Sequence, residues 1–581
     1  MSDSSPHRLL PDWIRDVSGR SLGHDAVAGL SVATMLVPQS MAYALLAGMP
    51  AVYGLYASLV PLLVYPLIGT SRHVAVGIMA IDSMIVAAGV SAVVSPGGPG
   101  GAPASDYISA VLLLGLMVGG IQILMGALRL GFVVNLLSRP VIAGFTAAAA
   151  LTIGVGQFGS LTHIPVPGGA DVFDIARAAF SGISQFHALS FLMSACGIIL
   201  LVALQRWARA VPGPLVAVVL GGLAVWIFGL GAEGVSVVGT VEPGLPDVTN
   251  VGAWSFDMAA RLFPTAVTLS LVQFMTVMSL GKMFATRHGY RIRPNRELIA
   301  VGAMNAAGAF FRSVPVSASF SRSAVNDRFG ASTPLSNVFA AAFVGLTLLF
   351  LTPLLRFLPI PVLGAIILVA VFSLIDIREL RFLLRTKRID GVIALGTFAA
   401  TLVVGIHLGV LVGIGLSVIA IMYRISRPNI AVLGHLGGTR SFRDIGSFGA
   451  SETIRDVLML RIDASFSFAN ADHLRDTIVD ESARRDVEAV VIDASGINDI
   501  DTTALTVIAE LNDDLIRRGV SLHFGGVKEP VMVVLRESGV FEDIGGERFH
   551  LSPHRAVHAI LEGWGRAEPY LDRVNRPEDF G

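Results

Sequence analysis

One cysteine in 581 residues excludes an internal disulfide framework and a thiolate metal cage built by a single chain. That residue, Cys196, lies in an apolar run. Charge is also scarce. Asp, Glu, Lys and Arg make up 15% of the chain, where soluble chains carry about 25%. Basic and acidic residues number 42 and 43, for a net charge of −1, so there is no cationic surplus to hold nucleic acid. Residues 1–25 are polar and lack the apolar centre of a signal peptide, and they read as a cytoplasmic arm. No P-loop and no Rossmann fingerprint occurs, and nothing resembles a nucleophile–base constellation. Neither enzymatic catalysis, a cofactor nor a bound metal is expected.

What the chain does have is apolar length. Hydrophobic residues are 53% of it and mean hydropathy is +0.69. The 62 glycines suit helices that approach closely in lipid. Between residues 26 and 427 the apolar segments have roughly the 20 residues that span a bilayer. Clear ones are 27–47, 52–68, 107–127, 140–158, 187–205, 212–231, 259–281, 335–352, 360–376, 390–405 and 408–425. Weaker ones are 77–94, 296–311 and 319–330, for about fourteen in all. Basic residues cluster at 72, 129–139, 206–209, 282–293 and 378–388, whereas 95–106 and 232–258 have none. This bias predicts that both termini are cytoplasmic, in a bacterial-style plasma membrane.

Two of the weak segments point to a site. Segments 77–94 and 319–330 are short or interrupted by Gly and Ser. Each follows an extended-looking stretch, and each is third in its half of the chain. Interrupted segments in matching positions predict inverted repeats with a midplane site between two half-helices. Half-helix N-termini favour anions. The second carries Ser319, Phe320, Ser321 and Arg322, and a charge at membrane depth usually lines a site or pathway.

Leu36-Val37-Pro38-Gln39-Ser40-Met41-Ala42-Tyr43-Ala44, Gly54-Leu55-Tyr56-Ala57 and Gly69-Thr70-Ser71-Arg72-His73 resemble the N-terminal signature of SulP anion transporters, the sulfate permease family. Pro294-Asn295-Arg296-Glu297-Leu298 and Ser319-Phe320-Ser321-Arg322-Ser323-Ala324-Val325-Asn326 are similar to its second half, and the C-terminal region resembles its STAS domain. The resemblance implies seven-plus-seven inverted repeats divided into core and gate domains, elevator-type movement and a homodimer. It implies an anion site drawing on Gln39, Tyr43, Met79, Ser319, Phe320, Ser321 and Arg322. Gln39 also reads as an ordinary interhelical hydrogen-bonding residue, and Tyr43 as packing. Many members carry a carboxylate in the eighth helix. Here Thr276 holds that position, near Gln273, while an acid stands instead at Asp82 in the third helix. No other carboxylate lies so clearly inside an apolar segment. Asp82 is expected to be paired, protonated or open to a water-filled cavity. Its role is either structural or a relocated proton-coupling group. His73 and His163 fall at helix ends, where solvation accounts for them.

Beyond a linker at 428–454 the pattern turns to α/β over 455–566, with a tail at 567–581. Asp456–Ile462, Glu488–Asp493 and Val520–Phe524 read as strands. Ala471–Arg484, Thr502–Arg518 and Pro530–Ser538 read as helices. Thr502 follows Asp501 at a strand-to-helix junction, matching a position that is phosphorylated in some STAS domains. Helix capping explains the same pair. The reading is a secondary transporter of oxyanions or small carboxylates, such as sulfate, bicarbonate or a dicarboxylate, embedded in the lipid bilayer. Its STAS domain offers a surface for a cytoplasmic partner. The rivals are a nucleobase-type permease, which has no need of Arg322, and a membrane sensor acting through STAS.

Overall fold

A computed structural model describes residues 13–14, 17–94, 104–132, 138–164, 177, 181–208, 211–240, 243–249, 254–372, 375–436, 439, 441–447 and 451–567. Most of the expected N-terminal arm and nearly all of the expected tail lie outside these. The chain divides within one helix into two compact units, Met1–Ser417 and Val418–Gly581.

The first unit is helical. In order it contains α1 (Gly19–Leu46), α2 (Ala51–Tyr56), α3 (Val60–Ile68), β1 (Val76–Gly77), α4 (Ala80–Ser91), α5 (Ala104–Ala127), α6 (Arg139–Gly156), α7 (Phe158–Thr162), α8 (Ala188–Trp207) and α9 (Gly213–Phe228). Then come α10 (Phe256–His288), α11 (Pro294–Phe310), β2 (Ser317–Ala318), α12 (Phe320–Arg328), α13 (Leu335–Leu346), α14 (Thr352–Leu355), α15 (Ile360–Phe372), α16 (Ile377–Thr386), α17 (Arg388–Val404) and α18 (Ile406–Ser426). Among the described residues, seven helices are long and apolar enough to cross a membrane, and four further apolar helices are shorter. Large apolar side chains such as Ile199, Trp226 and Val403 point outward at 68, 63 and 84% exposure. Water would penalise such a surface, whereas lipid does not.

Two bundles share this unit. α1–α5 pack with α10–α13, and α6–α9 pack with α15–α17. In the first bundle α1 lies on α12 and α13, and α10 lies on α4 and α5, the mirrored contacts that an inverted repeat requires. Glycine allows the closest approach. A Cβ on Gly302 of α11 would stand 2.7 Å from the carbonyl oxygen of Gly119 on α5. The expected segment 52–68 is broken into α2 and α3. The expected segment 335–352 holds a π-helical turn at Thr347–Leu351.

Two buried carboxylates were not legible as such in the sequence. Asp25 and Glu297 are both 0% exposed, so Asp82 is not alone. Asp25 accepts from the backbone of Ser332 at 2.7 Å and of Thr333 at 3.0 Å. Glu297 accepts from the Tyr65 hydroxyl at 2.9 Å and from the backbone N–H of Thr70 and Ser71 at 2.6 and 2.9 Å. Several donors each offset the cost of burying these charges. His73 also departs from expectation. It is buried rather than solvated, stacked on His288 with ring centroids 4.0 Å apart.

The second unit is an α/β domain. Its sheet runs β4 (Phe442–Asp444), β3 (Ile430–Leu436), β6 (Val457–Ile462), β7 (Ala489–Asp493), β8 (Ser521–Gly525) and β9 (Phe549–His550), with β5 (Ser451–Glu452) paired to β3. β3 joins β6 antiparallel, and β6 to β9 are parallel. The stretch 428–454, expected as a linker, therefore supplies three strands of this sheet. Alternation sorts the strands onto two faces. Leu458, Leu460, Ile462, Val490 and Ile492 face one core, with α19 (Ala471–Arg485), α20 (Thr502–Arg517), α21 (Glu529–Glu537) and α22 (Val540–Ile544). Val457, Met459, Ala489 and Val491 face the other, covered by α23 (Pro553–Gly563).

Candidate anion site

β1 and β2 pair antiparallel, Val76 opposite Ala318 and Gly77 opposite Ser317. Two residues per strand suffice to set the starts of α4 and α12 against each other inside the bundle. The two interrupted segments of the sequence are thus brought together as half-helices. Their N-cap residues, Met79 and Ser319, are extended and make no side-chain capping bond. The first N–H groups of each helix are therefore left for another acceptor. Gly77 is required here. Its φ is +151°, and a Cβ would meet Leu36 Cδ1 at 2.9 Å and Arg322 Nη2 at 3.1 Å.

A cavity of about 850 Å³ opens before these helix starts. Of the seven residues expected at the site, Gln39, Tyr43, Met79, Ser319, Phe320 and Ser321 line it. Pro38 in α1 has no N–H for the carbonyl four residues back, and α1 runs on through it to present Gln39 and Tyr43. Ser319 and Ser321 bring their hydroxyls within 3.3 Å of each other.

Arg322 is placed differently. It is 0% exposed and stands behind the lining. Its Nη2 donates to the Ile78 carbonyl at 2.9 Å, and its Nη1 donates to Gln39 Oε1 at 3.4 Å. Among the described residues its Nε has no partner. The guanidinium therefore supplies field through Gln39 and the Ile78 peptide, and orients the amide that faces the cavity. Gln39 makes the interhelical hydrogen bond that one reading of the sequence expected, and it also lines the cavity.

Asp82 is 1% exposed on the first turn of α4. Its hydrogen-bond partners are Ser317 and Gln273 rather than Arg322, which lies within electrostatic reach. Gln273 Nε2 donates to Asp82 Oδ2 at 3.3 Å. Thr276 is not at the cavity, and its hydroxyl donates to the Val272 carbonyl of its own helix at 2.9 Å. Sequence reasoning missed the opposite wall: Leu201 and Leu204 of α8, Pro212, and Ile366 and Val369 of α15. Nothing in an apolar helix signals which face looks onto a cavity. In the second unit Asp501 accepts from Ala504 N–H at 2.9 Å and from Phe468 N–H at 2.7 Å. It is the cap, and Thr502 is exposed beside it.

The chain matches the sulfate permease family over residues 22–397 and the STAS domain over 450–556. It is 34% identical over 549 residues to a probable sulfate transporter of Mycobacterium tuberculosis, covering 94% of this chain and 96% of that one. It is 33% identical over 574 residues to probable sulfate transporter 4.2 of Arabidopsis thaliana, covering 96 and 82%. In fold it is similar to murine solute carrier 26 family member A9, an anion transporter in the inward-facing state. The TM-score is 0.88 at 22% identity, with 97 and 96% coverage. The transmembrane domain of a cyanobacterium bicarbonate transporter matches 69% of the chain at a TM-score of 0.58 and 19% identity. Sequence and fold agree: the chain belongs to the sulfate permease family, multi-pass membrane transporters of anions rather than enzymes, and carries that family's STAS domain.

Proposed function

We propose that the protein is a secondary transporter of a small oxyanion or carboxylate, sulfate first among the candidates, which binds at the facing starts of α4 and α12. The observation that carries this is the pair of uncapped helix N-termini above a buried guanidinium. The free N–H groups and the Ser319 and Ser321 hydroxyls replace the water shell of the anion, and the two helix dipoles with Arg322 compensate its charge. A neutral nucleobase has no use for that field. The relatives named as sulfate transporters favour sulfate, and the bicarbonate transporter of similar fold keeps bicarbonate as the second candidate.

The cavity lies between the bundle of α1–α5 with α10–α13, which holds the helix starts, and the walls contributed by α8 and α15. Displacement of the first bundle against the second would carry the site across the membrane as an elevator, in a homodimer with both termini cytoplasmic. Thr276 gives a sodium ion no charge to offset its dehydration. Cation coupling, where present, runs on protons through Asp82, whose carboxylate can change protonation state beside Arg322. Uptake of labelled sulfate, bicarbonate and C4-dicarboxylates into proteoliposomes tests the reading. Sulfate uptake responding to an imposed pH gradient and indifferent to sodium is expected. Uptake of none of these anions would refute the function. Sodium-driven uptake at constant pH would refute the coupling.

A further inference from the structure

Behind Asp82 lies a cluster of three side-chain amides: Gln122 on α5, Gln273 on α10 and Asn305 on α11. They are 0, 0 and 3% exposed. A side-chain amide can face either way unless its partners decide. Here two backbone anchors decide. The Asn305 Oδ1 accepts from the Val316 N–H at 2.8 Å, while the carbonyls of Val316 and Val301, both at 3.1 Å, share the two hydrogens of its Nδ2 with a third acceptor. That orientation turns the same Nδ2 toward Gln273 Oε1 at 2.9 Å. The Gln122 Nε2 donates to the Ser270 carbonyl at 3.2 Å and reaches the same Gln273 oxygen at 3.1 Å. Two donors converge on one atom, so that atom must accept. Gln273 is left with its NH₂ facing Asp82.

We infer that Gln273 is a positioning residue that holds Oδ2 of Asp82 as an obligate hydrogen-bond acceptor, with Gln122 and Asn305 fixing the direction of that bond. A proton taken up by Asp82 then sits on Oδ1, and the bond from Gln273 survives in both protonation states. Because Asn305 also grips Val316, next to β2, the cluster ties the carboxylate of α4 to the strand that leads into α12. Among the described residues, the charged group within electrostatic reach of Asp82 is Arg322 on α12, with Tyr43 of α1 against that arginine. The faces of α5 and α10 present amides. The consequence for transport rests on the anion-site reading, but the direction of the bond does not.

Reversal of that direction is the test. Gln273→Glu sets a second carboxylate against Asp82, an arrangement that holds only while the pair shares a proton. The full-length variant in detergent should melt close to the parent at about pH 6 and several degrees below it at about pH 8. Adding Asp82→Asn places an NH₂ opposite the new carboxylate and should abolish that pH dependence. Gln273→Leu, which cannot ionise, should lower melting equally at both pH values. A Gln273→Glu variant with the parent's pH profile would overturn the inference, and so would a double variant no better than the single one. Should Gln273→Glu alone fail to fold, recovery of folded protein on adding Asp82→Asn supports the inference, and absence of recovery overturns it. Melting needs no substrate. A protein that melts as expected but binds no sulfate counts against the anion site alone.

Discussion

Arg322 stands behind the cavity lining without touching the cavity. It is enclosed by the Ile78 carbonyl and Gln39, so under the proposed function its charge would reach an anion through one layer of protein, where low polarisability keeps the field strong. Arg322→Ala should weaken sulfate binding by about tenfold or more, roughly 1.4 kcal/mol, in titration calorimetry on protein that still melts cooperatively. Arg261→Ala is the control. Arg261 is 62% exposed and pairs with Asp257 on the outer surface of its helix, where such pairs contribute about 0–1 kcal/mol. Equal effects of the two changes would remove Arg322 from the site. Among the described residues Asp82 differs from Asp25 and Glu297 in having two side-chain partners and no backbone donors. Asp25 and Glu297 are each held by two backbone N–H groups. Asp82→Asn should flatten the pH dependence of uptake while sulfate binding persists. An unchanged pH profile would leave Asp82 a structural residue.

Among the elements, the two-residue ladder of β1 and β2 decides the most with the least. It sets the starts of α4 and α12 face to face, and Gly77 is its tightest point. Gly77→Ala should cost about 1–3 kcal/mol through backbone strain and displace Arg322 as well. Both a lower melting midpoint and weaker sulfate binding are expected, and a variant that loses neither would show the ladder to be tolerant. In the C-terminal domain His523 on β8 faces His550 on β9, with ring nitrogens 3.3 Å apart. Burial, and next the charge of His550, push His523 from 6.5 down to about 4, and burial lowers His550 as well. The folded domain thus holds both rings neutral, while the unfolded chain takes up protons first as pH falls. The stabilisation is complete above about 6.5 and is lost as pH drops toward 4. Residues 428–581 expressed alone should melt progressively lower across that window, and His523→Leu should flatten the slope. A domain whose midpoint is constant between those limits would contradict the pairing.

At the scale of the whole molecule, the two units have separate cores. The helical unit is held by a large apolar cluster and a smaller one around Phe274, Met278 and Leu298, and the C-terminal unit is held by clusters on the two faces of its sheet. Every side chain lining the candidate site belongs to the first unit. Truncation after Arg427 should therefore leave a membrane domain that binds sulfate with near-parental affinity, whatever the change in transport rate. A cooperatively folded truncation that binds no sulfate would show that the C-terminal domain takes part in the site.

The sequence by itself determined what depends on local composition and period. Apolar length placed the spanning segments, and alternation placed the strands Val457–Ile462, Ala489–Asp493 and Ser521–Gly525 to within a residue. The two interrupted segments and the hydroxyls around Arg322 marked the candidate site, since polar residues at membrane depth stand out against their surroundings. What only the tertiary structure decided is which groups meet across the bundle. Gln273 and Asn305 are 151 and 183 residues removed from Gln122 and 32 from each other along the chain. No periodicity predicts that their amides converge behind Asp82. The saturation of Asp25 and Glu297, the recession of Arg322 behind Gln39 and the wall contributed by α8 and α15 are of the same kind. Each depends on the direction of a side chain in a packed interior, where a buried polar group must find its partner and the partner lies wherever the fold brings it.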